Sequence, residues 1–180
     1  DTLGNRIGSN TQVNNDTIFR ISSHPYVSSD YSGNFYITWG RVDYRRTNKF
    51  DIMYQAYNSN GIPLGQNRII SDDKGQALQI TPDVAYDPSG NFFVTWTDTR
   101  FGQQKSDIYA RRFDRLGNPL SQEFIVNDDN SLFFRQEFPA IALNTLGMYV
   151  IVWQDERDYI KQIYAQRFDR NGVALGTNYN

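Results

Sequence analysis

The 180-residue chain has no cysteine, one histidine and two methionines. Without cysteine there are no disulfides, no thiol nucleophile and no thiolate metal site. With His24 as the lone imidazole, one chain cannot build a multi-histidine metal centre. No apolar run approaches the roughly 18 residues of a membrane span, so membrane insertion is not expected. Eighteen basic residues stand against twenty acidic ones. That balance leaves no large field of one sign and argues against nucleic acid as a partner. The chain opens at Asp1 with neither Met nor a signal-like segment, which reads as a mature product, a processed piece or a cut from something longer.

Aromatic residues, by contrast, are abundant at 15%. They recur with a period. Trp39, Trp96 and Trp153 are spaced by 57 residues, and so are Pro25, Pro82 and Pro139, and Gly33, Gly90 and Gly147. A constant period of this length marks copies of one supersecondary unit that stack to bury their apolar faces. The second copy is the clearest. Thr81–Asp87, Asn91–Trp96, Asp107–Asp114 and Glu123–Asn127 are four β-prone runs separated by turn chemistry at Gly90 and Gly117. The second run, with Phe92, Phe93, Val94 and Trp96, is apolar on both faces, as in a strand sandwiched between neighbouring sheets. Four-stranded antiparallel units at this period predict an all-β, propeller-type fold in preference to a β-sandwich or a linear solenoid.

The ends are offset from the repeat. Ile7 and Val13 fall in a segment that matches the fourth run of the other copies, whereas Leu175–Asn180 stops where the fourth run of copy three should form. The expected organisation is therefore a blade-closing strand over 1–16, blades over 17–73 and 74–130, and a third blade over 131–180 whose last strand is incomplete. Ile7, Val13, Leu175 and Tyr179 are the residues expected to join blades by strand exchange. Three arrangements remain open: a fragment of a longer array, a two-chain six-bladed ring, or an open head-to-tail filament.

The run Gly90-Asn91-Phe92…Thr95-Trp96…Asp98…Arg100, followed by Asp107-Ile108-Tyr109-Ala110…Arg112-Phe113-Asp114…Gly117…Pro119-Leu120, resembles tandem repeats of large secreted bacterial surface and adhesin-like proteins. The resemblance spans nearly the whole chain and implies an extracellular, propeller-like, multi-repeat protein. It implies no catalytic residues. Copy three departs from it, with Gln162 where Asp51 and Asp107 stand in the others and Leu143-Asn144-Thr145 in place of the Asp-rich turn.

Loops after each Trp carry Asp43, Tyr44 and Arg45, then Asp98, Arg100 and Phe101, then Asp155, Arg157 and Tyr159. Aromatic, Asp and Arg side chains together suit a sugar, the ring under its apolar face and the charges on its hydroxyls. The same Asp-x-Arg pattern also suits an ion pair that each blade repeats for its own structure. Exposed aromatics at 44, 101 and 159 are the better ligand candidates, and the Trp residues the better core candidates. Acidic connectors at 14–16, 72–73 and 127–130 would admit Ca²⁺, but they lack a calcium-loop pattern, and turns capped by Asp and Asn account for them. Asn15-Asp16-Thr17 is a lone glycosylation sequon. Glu137 and Glu156 stand in no recognisable glycosidase constellation. The expectation is thus a non-catalytic extracellular structural or interaction protein, needing no cofactor, whose partners are itself or further blades. The alternative is a lectin-like propeller with glycans as its ligands.

Overall fold

A computed structural model describes residues 3–5, 8–15, 20–44, 49–72, 75, 77–102, 104–129 and 133–180. Ile7, Arg45 and the Asp16-Thr17 part of the sequon lie outside the described residues. Among the described residues twelve strands form three four-stranded sheets, each a simple antiparallel meander. Sheet one is β1 (Arg20–Ser29), β2 (Phe35–Asp43), β3 (Lys49–Tyr57) and β4 (Arg68–Ile69). Sheet two is β5 (Gln79–Tyr86), β6 (Phe92–Asp98), β7 (Asp107–Phe113) and β8 (Phe124–Ile125). Sheet three is β9 (Gln136–Leu143), β10 (Tyr149–Asp155), β11 (Gln162–Phe168) and β12 (Ala174–Tyr179). The blades are those expected of a propeller.

One local device explains why Trp and Pro share a period. In each first strand two residues oppose a single residue of the second: His24-Pro25 opposite Trp39, Thr81-Pro82 opposite Trp96, and Phe138-Pro139 opposite Trp153. This is a β-bulge, which bends the strand and sharpens its twist. The residue before each Pro is left-handed, with φ of 52° at His24, 50° at Thr81 and 57° at Phe138. For a residue with a Cβ that conformation is costly. The bulge holds it in all three blades because the proline that follows has no N–H to lose from the ladder.

Turns at the opposite end of the blades are equally regular. In six hairpins an Asp or Asn at the first position caps the backbone N–H groups two and four residues on, as Asp87 does for Ser89 and Asn91 and Asp114 does for Leu116 and Asn118. A glycine at the fourth position takes φ near 80°, for example 83° at Gly90 and 81° at Gly117. In copy three, Asn144 replaces the aspartate and makes the same bonds to Leu146 and Met148. The chemistry survives because a side-chain carbonyl accepts as a carboxylate does.

Sheets pack face to face. Phe92, Val94 and Trp96 turn back onto Tyr36, Ile52 and Tyr54 of sheet one. Phe93, Ile108 and Val126 turn forward onto Tyr149, Ile151 and Trp153 of sheet three. All three Trp residues are buried, at 3%, 0% and 1% exposure, as core side chains.

The ends differ in part from expectation. β12 pairs antiparallel with β11, Leu175 opposite Arg167 and Tyr179 opposite Ala165. Both residues therefore serve their own sheet, and the fourth edge of blade three is formed through Tyr179. Val13–Asn15 joins no sheet but sits on blade one. The amide of Asn67 donates to the Val13 carbonyl at 3.3 Å, and the Asn15 N–H donates to Asn67 Oδ1 at 2.7 Å. The same hook recurs farther along. The Asp72 N–H reaches Glu123 Oε1 and the Asp128 N–H reaches Asn178 Oδ1, each at 2.7 Å. Val13–Asn15 thus occupies on blade one the place that Ile70–Asp72 and Val126–Asp128 occupy on blades two and three.

Candidate functional site

The loops after each Trp lie at the end of the blades away from the glycine turns. Their Asp-x-Arg pairs are turned inward. Asp98 accepts the Trp96 indole N–H at 3.1 Å, the Gln79 amide at 3.1 Å, and Arg100 through both its backbone and its guanidinium. The Arg100 guanidinium also meets Glu123 at 2.7 Å and lies 3.9 Å above the Tyr109 ring. Blade three repeats this: Asp155 takes the Trp153 indole at 2.8 Å and the Arg157 guanidinium at 2.8 Å, while Arg157 reaches Asp128 at 2.7 Å and covers Tyr164 at 4.2 Å. Burial pushes the Asp155 carboxyl up, but the bonds from Arg157 and Trp153 outweigh it and hold the group below its ordinary 3.8. At Glu123 burial wins, and its carboxyl is raised despite Arg100. Asp98, Arg100, Asp155 and Arg157 are therefore pins that fasten a blade to itself and to the preceding connector.

Blade one breaks the pattern. Its order after the Trp is Arg41 then Asp43, the reverse of Asp98 then Arg100. Arg41 pairs with Asp51 and Asp43 with Arg20, each at 3.0 Å. Trp39 consequently has no acceptor for its buried indole N–H among the described residues. Asp43 is thus the counterpart of Arg100, and the expected equivalence of Asp43 with Asp98 and Asp155 does not hold.

With the charges committed, Tyr44, Phe101 and Tyr159 remain exposed on the loops. Tyr159 is the most distinctive. It is 88% exposed, and its φ is 63° although it is not a glycine. Its N–H closes a turn onto the Glu156 carbonyl at 2.9 Å. Its ring meets Phe134 edge to face, with centroids 5.0 Å apart. Phe134 belongs to the connector between blades two and three, which is tied to both flanking loops: Gln136 N–H to Ser106 O at 3.0 Å and Glu156 N–H to Arg135 O at 3.1 Å. Phe133, the preceding residue of the connector, is exposed as well. Charge surrounds it, in the pairs Glu156–Lys161 at 3.4 Å and Arg135–Glu137 at 3.9 Å. Phe133, Phe134 and Arg135 were not singled out from sequence, although two adjacent aromatics in a polar connector are the signal for them. The acidic connectors are engaged too: Asp72 with Arg111 at 3.2 Å, Asp128 with Arg157, and Asp129 with Gln136 at 3.2 Å. Among the described residues no group of three His, Cys, Asp or Glu side chains is placed to hold a metal ion.

No family model matches the chain. No curated protein matches it either. Solved structures do. An N-acetylgalactosamine deacetylase from F. plautii, in complex with blood group B trisaccharide, is 10% identical, with a TM-score of 0.59 over 89% of this chain and 53% of its own. An α-L-arabinanase from Penicillium chrysogenum complexed with arabinobiose is 13% identical, with a TM-score of 0.63 over 86% of this chain and 49% of its own. A family 117 glycoside hydrolase from the marine bacterium Zobellia galactanivorans is 11% identical, with a TM-score of 0.59 over 92% of this chain and 58% of its own. The chain spans about half the length of these proteins. At such identities the likeness shows the fold alone. It nevertheless corrects the expectation of a non-catalytic structural protein. That expectation rested on repetition, and here the same repeated-blade architecture is found in glycan-processing enzymes.

Proposed function

We propose that this chain forms part of a carbohydrate-active propeller and binds glycan on the face carrying its Trp-proximal loops. The observation that carries the reading is Tyr159, a ring held out to solvent at the expense of a left-handed backbone and steadied by Phe134. Strain of this kind persists where the surroundings enforce it and is concentrated at functional sites. An aromatic platform beside charged hydrogen-bonding groups matches the face of a sugar ring and its hydroxyls, and Phe101 offers a second platform on the neighbouring loop. Support comes also from the fold neighbours, a deacetylase in complex with blood group B trisaccharide and an arabinanase complexed with arabinobiose. An extracellular setting fits such a role and the resemblance to secreted surface repeats. Among the described residues no helix is long and apolar enough to cross a membrane.

A catalytic reading has one specific foothold. Glu137 lies on the first strand of blade three next to this patch, and its carboxylate is held only loosely, by Arg135 at 3.9 Å. The test is a glycan array with the unaltered chain and with Phe101→Ala and Tyr159→Ala together. Binding lost in the double variant supports the reading, and a blank array across glycan classes removes it. Any hydrolysis of a bound glycan should then fall with Glu137→Gln while binding persists.

A further inference from the structure

The forward face of each sheet carries a seat for an aromatic ring, and two of the three seats are filled by the blade that follows directly in sequence. On sheet one, Tyr36 and Tyr54 receive Phe92, at 6.0 and 4.7 Å between centroids. On sheet two, Phe93 receives Tyr149 at 4.3 Å. Phe92 and Tyr149 hold the same position, the first residue of the second strand. Seated this way, Phe93, Thr95 and Thr97 of sheet two are buried. Thr97 Oγ1 also accepts the Phe138 N–H of the next blade at 3.2 Å.

On sheet three the corresponding residues are Val150, Val152 and Gln154, and all are half-buried. A cavity of about 330 Å³ opens where the ring would enter, lined by Leu143, Met148, Val150, Phe168 and Leu175. Arg167 lines it too. Its counterpart on sheet two is Arg112, which donates to the Asn171 carbonyl in a turn of blade three. The amide nitrogen of Gln154, at the position of Thr97, is buried with no partner among the described residues. An apolar socket and, farther along the same strand face, a buried orphan donor are what an interface between blades looks like with one side removed.

We propose that this face seats a fourth blade of the same repeat, joined in tandem to the third and entering the socket with an aromatic ring at the first position of its second strand. The partner's chemistry follows from the filled seats: an aromatic in the socket and a polar backbone or side-chain acceptor against Gln154. The inference is independent of the glycan reading.

The absence of cysteine makes the test direct. In a Val150→Cys variant the sole thiol reports the face, and Tyr31→Cys provides an exposed control on blade one. Labelling rates are compared between the chain and a chain extended after Asn180 by a duplicate of residues 126–180. The expected result is labelling at position 150 slowed by about a hundredfold or more in the extended chain, as for a site that reacts only on opening. The control site should be unchanged, and protection should be lost when the duplicate's Tyr149 is replaced by Ser. Unchanged labelling at position 150 in the extended chain overturns the proposal. So does labelling that is already slow in the unextended chain and quickens on dilution, since that assigns the face to a second copy.

Discussion

Trp153 donates its indole N–H to Asp155, two residues along the same strand, at 2.8 Å. The aspartate thereby becomes the node that joins a core aromatic to the Arg157 guanidinium and, through it, to the connector at Asp128. Asp155 is fully buried, so removing its charge breaks the buried pair with Arg157 and leaves one carbonyl oxygen where two carboxylate oxygens accepted from Trp153 and Arg157. Asp155→Asn is expected to cost about 3–5 kcal/mol, the range for breaking a buried pair. Urea denaturation checks this. A loss within a few tenths of a kcal/mol would show the node to be dispensable.

Acid should act through the same group. Asp155 is held below its ordinary 3.8, and the turn carboxylates Asp30, Asp114 and Asp169 are lowered as well. A carboxylate with a depressed folded pKa contributes stability at pH above its unfolded value and loses it as pH falls through the folded one. The melting temperature should therefore hold from neutrality down to about pH 4 and drop below that. In Asp155→Asn the acid drop should be shallower. An equal drop in both proteins would exclude Asp155 as a contributor.

Alkali tests the aromatic interfaces. Burial pushes Tyr36 and Tyr109 up to about 12, and Tyr86, buried between blades one and two, goes well above its ordinary 10. With folded values above unfolded ones, this stability is complete below about pH 10 and falls as the unfolded chain ionises above it. Phenolate absorbance from these buried tyrosines should rise cooperatively with loss of the β-sheet signal. Smooth titration of all twelve tyrosines near 10 in a folded protein would contradict this assignment.

Tyr159→Gly separates strain from packing. Glycine accepts φ of 63° without penalty, so the variant should be more stable by about 1 kcal/mol, less whatever the Phe134 contact contributes. Glycan affinity should fall about tenfold or more, equivalent to about 1.4 kcal/mol. A variant that binds as well as the parent would show the ring to be a bystander.

The connector hook makes its own prediction. Asn178 accepts the Asp128 N–H, and its amide donates to Gln166 at 2.8 Å. Asn178→Ala should cost about 1–3 kcal/mol by leaving the buried Gln166 side-chain oxygen without this donor. Hydrogen exchange at the Asp128 amide should quicken more than exchange in the centre of β10.

Much of the fold was legible because its devices are local. The Asp/Asn–Gly turns and the bulge that links each Pro to its Trp are made within one hairpin, and the 57-residue period repeats them as letters. The hooks were not legible. Asn67, Glu123 and Asn178 are chemically mixed and meet partners about 50 residues away in sequence. β12 escaped because Ala174–Tyr179 contains no β-branched residue but Thr177, and its pairing with β11 overrides weak propensity. In the candidate site, Phe101 and Tyr159 were named for exposure beside a strand end. The commitment of Asp98 and Arg100 was not visible, since spacing alone cannot show which way a side chain turns. The reversal at Arg41 and Asp43 was visible as letters, but it took the orphaned Trp39 indole to give it a consequence.

The six hairpin turns at one end of the blades close their capping bonds within five residues, Gly33 onto Asp30 and Gly172 onto Asp169 among them. Each corner holds its own shape, and the bonds between blades at this end, Arg68 to the Leu116 carbonyl and Arg112 to the Asn171 carbonyl, are added from outside it. Such a molecule can lengthen or shorten by whole units without losing its corners, but a change of one or two residues inside a corner would shift the strand register on both sides. Natural variation should therefore come in steps of a full repeat at that end, while the loops beside Trp96 and Trp153, beyond their Asp-x-Arg pins, are free to change in length and composition one residue at a time.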